Sequence, residues 1–430
     1  MQKQVTLFPG LDFNKYNNGN VNKLDNEDKA FHNWYRFVLS FPPHLVREYI
    51  KKFNLKNGDT LLDPFCGTGT TIIEAKLNNL QGIGIEANPM AYFASSVKTN
   101  FDVDPDLFLK ESEGIAQIAR KKILESSSNE LRTLPDCEYS LLLTDSISPI
   151  PLHKTLILLE TIQETNSRYF QHQLLSLATS TVRYASNLHF GPEVGVSKKK
   201  KNDVDVVRYW LEIIRTMARD LRSVYHKTYL PSKLFNGDSR DLKNFLDYNS
   251  INAVFTSPPY PNEKDYTRTT RLESIILGFI KDADQLRALK KNLLRSNTRN
   301  VYKDDDDDKF ILHNQEIMRI AGEIESRRIA LNKTSGFEKT YHKVTKLYFG
   351  GIARHLENLK PYLKKNALLG YVVGDQASYL QVYIPTGKII ADIAQDLGYE
   401  LMNIYLFRTR FATVTKKEMR EEIVVLKWNG

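Results

Sequence analysis

Four residues past the middle of the chain, Ser257-Pro258-Pro259-Tyr260, put a hydroxyl, a backbone carbonyl and an aromatic ring next to one another. The apolar and β-branched run Ala253 to Thr256 just before them reads as a short buried strand. Two consecutive prolines cannot donate to a sheet ladder, so the strand must end there and the chain must leave extended. In open α/β sheets, ligands sit at the carboxyl ends of the strands. A planar base with an exocyclic amino group could stack on Tyr260 and donate hydrogen bonds to Ser257 and to the Pro258 carbonyl. Taken alone, the same residues serve equally as a rigid strand exit.

A second stretch adds a binding chemistry. Thr60 to Leu62 reads as a strand, Asp63-Pro64-Phe65-Cys66-Gly67-Thr68-Gly69 as a tight glycine loop, Thr70 to Asn78 as a helix, and Gly82 to Ile85 as a strand ending on Glu86. This is a β-loop-α-β unit of the kind that cradles a nucleoside cofactor. Glycines let the backbone approach the ligand. An acid 86 − 69 = 17 positions after Gly69 is near the roughly 20 at which a carboxylate grips ribose hydroxyls. No lysine follows the last glycine, so this is not a phosphate-gripping loop, and Asp63 suits a cationic or zwitterionic ligand. Cys66 reads as a small packed residue rather than a nucleophile.

The elements that must position these residues span a long chain. With 430 residues, 41% hydrophobic, there is room for two domains or one large domain with insertions. No apolar run approaches the roughly 20 residues that span a bilayer, and the N-terminus lacks the pattern of a signal peptide. Two cysteines, Cys66 and Cys137, exclude a disulfide framework or cysteine zinc site and suit a reducing cytoplasm. No metal site is expected. A net charge of +9 favours polyanionic partners.

In order, residues 1–30 read as a flexible arm and 31–100 as the first half of the nucleotide-binding domain, opening on a helix after Phe41-Pro42-Pro43. Residues 101–229 read as a helical insertion containing the basic run Lys198 to Lys201. Residues 230–279 hold a strand ending near Asp238, a helix from about Arg240 capped by that acid, and the strand into Ser257. Asp265, Tyr266, Arg268 and Arg271 could meet a substrate. Residues 280–345 form a basic insertion whose five aspartates, Asp304 to Asp308, read as a disordered, outward-facing loop tip. Residues 346–430 close the sheet, with two last strands suggesting an antiparallel edge hairpin.

Together, DPFCGTGTT, GIGIEANP, GDSRDL, TSPPY and FPPHLVREYI resemble the S-adenosylmethionine-dependent amino-methyltransferases of restriction–modification systems. The form SPPY is similar to the cytosine-N4 branch. The resemblance covers most of the chain outside the arm and the two insertions. It implies an α/β Rossmann-like methyltransferase fold, a mostly parallel sheet with a C-terminal antiparallel hairpin plus helical insertions. It implies S-adenosyl-L-methionine as cofactor, lined by Asp63, Pro64, Phe65, Gly67, Gly69 and Thr70. Phe41 and Asn88 would flank it, with Glu86 at the ribose and Asp238 at the adenine amino group. Ser257, Pro258, Pro259 and Tyr260 would be the catalytic segment.

The partner implied is double-stranded DNA, together with a cognate restriction endonuclease, in a bacterial or archaeal cytoplasm at the nucleoid. Region 280–345 is favoured as the target-recognition region for its charge. The competing readings are adenine-N6 as the target, an RNA amino-methyltransferase, and a catalytically inactive DNA-binding subunit.

Overall fold

The computed structural model describes residues 28–37, 40–126, 130–191, 193–262, 264–412 and 417–430. Most of the expected N-terminal arm, residues 1–27, lies outside them. A seven-stranded sheet forms the frame. In chain order its strands are β1 (Thr60–Asp63), β2 (Gln81–Glu86), β3 (Lys233–Asn236), β4 (Ile251–Thr256), β5 (Leu363–Gly374), β6 (Glu400–Ala412) and β7 (Lys417–Trp428). Their spatial order is β3-β2-β1-β4-β5-β7-β6. The pairs from β3 to β5 are parallel, and β7 runs antiparallel to both of its neighbours. This is the Rossmann-like methyltransferase fold expected from the motifs, with its closing antiparallel hairpin.

Alternate strand residues feed two cores, as the two-residue period of a strand requires. Leu61, Ala253, Phe255 and Val372 face α1 (Pro43–Lys52), whose Leu45, Val46, Tyr49 and Ile50 recur at helical spacing. The other face carries Leu62, Val254, Leu369 and Tyr371. The helices α2 (Thr70–Leu77) and α3 (Pro89–Thr99) follow β1 and β2. Next come α4 (Pro105–Glu125), α5 (Pro149–Thr165), α6 (Phe170–Ser180) and α7 (Val206–Arg222). These four share one core with Phe31, Trp34, Tyr35 and α3. Trp34 is pinned there by its indole N–H, which donates to Asp220 on α7 at 2.9 Å.

The later helices are α8 (Ala283–Asn292), α9 (Gln315–Ala330), α10 (Tyr341–Leu359) and α11 (Thr386–Asp396). The last two, with α9, cover the second face of the sheet. No helix among the described residues is long and apolar enough to cross a membrane.

Two expectations are corrected here. No helix starts near Arg240: residues 239–245 are turns and irregular backbone, because the Asp238 carboxylate is engaged by the Arg240 guanidinium as well as by its backbone N–H. Nor do the five aspartates form an outward tip. Asp307 is buried against Arg240 (2.6 Å) and Arg354 (3.1 Å). Asp305 makes a fork with Arg295, and Asp304 pairs with Lys291. Mutual repulsion within the run is outweighed by cations brought from distant positions, as buried carboxylates require.

Candidate active site

Because β1 to β5 run in parallel, their carboxyl ends share one edge, and the structure brings the sequence-selected residues there. Asp63 ends β1. Its buried carboxylate accepts from the Phe65 N–H (3.1 Å) and the Thr256 hydroxyl (2.6 Å), tying the glycine loop to the end of β4. Burial raises its pKa to about 6.

The loop turns on Gly67 (φ +50°) and Gly69 (φ +85°), both left-handed. At Gly69 a Cβ would lie 2.9 Å from the Ser95 Cβ, so glycine is required there by conformation and by space. Thr70 opens α2 and is buried, as is Pro64, while Phe65 lies edge-on to His355 at 5.1 Å. Cys66 is buried and its thiol pushed up by burial, so it is no nucleophile.

Glu86 ends β2 and reaches back across the loop. Its carboxylate accepts from the Gly67 N–H and the Asn88 N–H, both at 2.8 Å. Four acceptor positions on a carboxylate leave room for a further donor. Burial pushes its pKa to about 7. A ligand held by the carboxylate form binds more weakly as pH falls through that value, since protonation removes the acceptor. The affinity for S-adenosylhomocysteine should therefore drop between pH 8 and pH 6, and Glu86→Gln should bind weakly and lose the part of that drop centred near pH 7, keeping only what the Asp63 carboxyl contributes near pH 6; calorimetry across the range checks this.

Asn88 is committed to structure: it caps α3 by accepting from Met90 and Ala91 and donates to the Thr270 hydroxyl at 3.0 Å. Phe41, at the entry to α1, sits edge-on to Phe255, one residue before Thr256. Asp238 lies just beyond β3, held by Arg240 and partly open.

In the catalytic segment, the Ser257 hydroxyl donates to the Val372 carbonyl of β5 at 2.9 Å. Its proton is thus spent inside the sheet, and its oxygen remains an acceptor. Among the described residues, none donates to the Pro258 carbonyl. The Tyr260 ring packs against Gly374 at the end of β5, where a Cβ would come within 3.0 Å of the ring.

Of the four residues downstream, Tyr266 alone reaches this segment, its hydroxyl accepting from the Tyr260 N–H at 3.4 Å. Asp265 instead pairs with Lys290 (3.1 Å) and caps a turn at Thr267. Arg271 is tied to Thr267 and to the Leu141 carbonyl. Arg268 is half-buried, and nothing engages its Nε among the described residues.

Two supports carried no sequence signal. Lys98 is buried beneath the glycine loop and donates to the Thr68 carbonyl (2.7 Å) and the Tyr35 carbonyl (3.0 Å); burial lowers its pKa to about 7. His355, a neutral buried ring with its pKa lowered to about 4, bridges the Ser239 carbonyl and the Tyr371 hydroxyl. Both fix loops at the ligand edge. Among the described residues, no cluster of potential metal ligands occurs.

A β-loop-α-β cradle and a Ser-Pro-Pro-Tyr segment on the same edge form the arrangement that the sequence resemblance leads one to expect of an amino-methyltransferase. Comparison with known proteins agrees. The DNA methylase family of N6/N4 type matches residues 10–95, which include the glycine loop and Glu86. The type II methyltransferase M.BsoBI of Geobacillus stearothermophilus is 27% identical over 431 residues, covering 92% of this chain and 84% of that protein. M.AvaI of Nostoc is 24% identical, covering 89% and 82%, and M.MvaI of Kocuria varians 22%, covering 89% and 84%. Among solved structures, the rRNA methyltransferase aviRa from Streptomyces viridochromogenes aligns over 95% of this chain at a TM-score of 0.33 and 12% identity, too distant to carry weight. The chain is thus similar over nearly its full length to type II methyltransferases, and over residues 10–95 to the DNA methylase family.

Proposed function

We propose that the protein transfers a methyl group from S-adenosylmethionine to the exocyclic N4 amino group of cytosine in double-stranded DNA, as the modification half of a restriction–modification pair. The observation that carries the choice of chemistry is the Ser257 hydroxyl, whose proton goes to Val372. With that proton spent, Ser257 and the Pro258 carbonyl are two acceptors side by side, matched to the two N–H donors of an amino group.

S-adenosylmethionine, when bound, supplies an electrophilic methyl group on a sulfonium. The chain's own residues do the rest. The target nitrogen is a poor nucleophile because its lone pair is delocalised into the ring. Accepting both amino hydrogens favours the pyramidal nitrogen that develops during transfer, which is stabilisation of the transition state over the ground state. Asp63, Phe65 and the Gly67–Gly69 backbone line the methionine side, Glu86 takes ribose hydroxyls and Asp238 takes the adenine amino group. Alignment of the two reactants on a rigid sheet edge supplies much of the acceleration. A paired base cannot reach this edge, so the cytosine is extruded and stacked on Tyr260.

Support for a duplex at this edge comes from the closing hairpin. Its pairs Thr409↔Arg420 to Ala412↔Lys417 continue past Gly374↔Glu421, the last pair between β5 and β7. A two-stranded ribbon overhanging the sheet by about four residues, roughly 13 Å, is of a size that enters a major groove. The buried thiol of Cys66 counts against ring-carbon methylation, which needs a thiolate. In the 280–345 region, Lys290, Lys291, Arg295 and Arg328 are tied in internal ion pairs, which weakens charge as its credential for reading DNA.

The reading is tested by incubating purified protein with plasmid DNA and methyl-labelled donor, then digesting to nucleosides. Label in N4-methylcytosine supports it. Label in N6-methyladenine would keep the mechanism and overturn the base.

A further inference from the structure

Asp238 does not stand alone at the end of β3. Its carboxylate is held by the Arg240 guanidinium through Nε (3.0 and 3.1 Å) and Nη2 (2.7 Å), and also by the Arg240 N–H (2.9 Å). The other edge of that guanidinium donates from Nη1 to Asp307 at 2.6 Å. Asp307 lies 67 residues further along the chain, inside the aspartate run, and its second oxygen accepts from Arg354 of α10 at 3.1 Å. Arg240 and Asp307 are both buried, while Asp238 at the carboxyl end of β3 remains partly exposed.

The backbone around this chain of charges is built to let it form. Gly350 and Gly351 sit in the interior of α10, where glycine is less favourable than alanine. A Cβ at Gly350 would lie 2.0 Å from the Asp307 carbonyl oxygen, and one at Gly351 would lie 2.5 Å from Leu294 and 3.5 Å from the Arg240 Cδ. The helix thus gives up side chains where the aspartate turn presses on it. The Arg240 backbone is fixed independently, its carbonyl accepting from Asn358 at 2.8 Å.

We propose that Asp307 is a positioning residue for the adenine end of the cofactor site: through Arg240 it sets the orientation of the Asp238 carboxylate. A fork donating to both oxygens of Asp238 fixes the plane of the carboxylate, and Asp307 fixes the fork. The aspartate run is therefore an internal strut joining the 280–345 region to the cofactor edge. This rests on the proposed role of Asp238 and adds to it a residue that touches no ligand.

The test uses the full chain without DNA and two probes, S-adenosylhomocysteine and S-inosylhomocysteine, which differ in the 6-amino group that Asp238 would accept from. Wild type should prefer the amino form by about tenfold or more, as expected for a hydrogen bond to a charged group. Asp307→Asn should reduce that preference to less than about threefold, chiefly by weakening the adenosyl compound, while Asp306→Asn, on the exposed side of the run, should leave it unchanged. A merely structural role would weaken both probes equally and keep their ratio.

An unchanged ratio in a folded Asp307→Asn protein overturns the proposal while leaving the cofactor site standing. If that variant does not fold, Arg354→Lys, which loosens Asp307 from its partly exposed side, should lower the ratio, and a wild-type ratio there overturns the proposal too. Wild type that binds neither probe, or binds both equally, removes the role of Asp238 and the strut with it.

Discussion

Gly69→Ala should weaken cofactor binding by about two orders of magnitude or more. The new Cβ would meet the Ser95 Cβ at 2.9 Å, and the backbone at φ +85° is one that L residues adopt at a cost of about 1–2 kcal/mol. Overpacking adds about 1–3 kcal/mol. The strain cannot be relieved locally, because α2 starts at the next residue and Lys98 holds the Thr68 carbonyl from below. Relief must come from lifting the loop, which breaks the Gly67 N–H bond to Glu86. We expect S-adenosylhomocysteine affinity to fall by at least about 100-fold, about 2.7 kcal/mol on the binding scale, with helical content retained by circular dichroism. A variant that bound within about threefold of wild type would show that the loop does not contact the cofactor.

Tyr260→Ala should spare the cofactor and cripple the transfer. Base stacking on an aromatic ring is worth about 1–3 kcal/mol, and the extruded base would lose its platform and its alignment together. We expect kcat/KM on duplex DNA to fall by about 10²–10³-fold with cofactor affinity within about twofold of wild type. Tyr260→Phe should retain most of the activity, since the ring does the stacking. The result to look for is the contrast between the two variants under single-turnover conditions. Equal losses would assign the role to the hydroxyl instead.

The parts readable in the sequence were those whose chemistry is local. The glycine loop, the acid on β2 and the proline-terminated β4 are short segments in which neighbouring residues dictate the backbone, and the hairpin of β6 and β7 follows from two strands of matched length. What was not readable depends on distant pairs. The aspartate run reads as solvated because its counter-ions, Arg240, Arg295 and Arg354, come from three different segments. The helix expected at Arg240 failed for the same reason: a side chain that would point outward on a helix is turned inward between Asp238 and Asp307. Lys98 gave no sign because a lysine on an amphipathic helix ordinarily faces water, and here the Thr68 and Tyr35 carbonyls take its place. Asn88 stands just before Pro89, the position of a helix cap, and its side chain caps α3.

The most direct measurement is to express the protein in a host free of DNA methylation and read the modified bases of its genome. The account predicts N4-methylcytosine confined to one short sequence context, lost on Ser257→Ala or Tyr260→Ala. N6-methyladenine in such a context would contradict the base assignment, and an unmodified genome in cells holding soluble, cofactor-binding protein would contradict the enzyme itself.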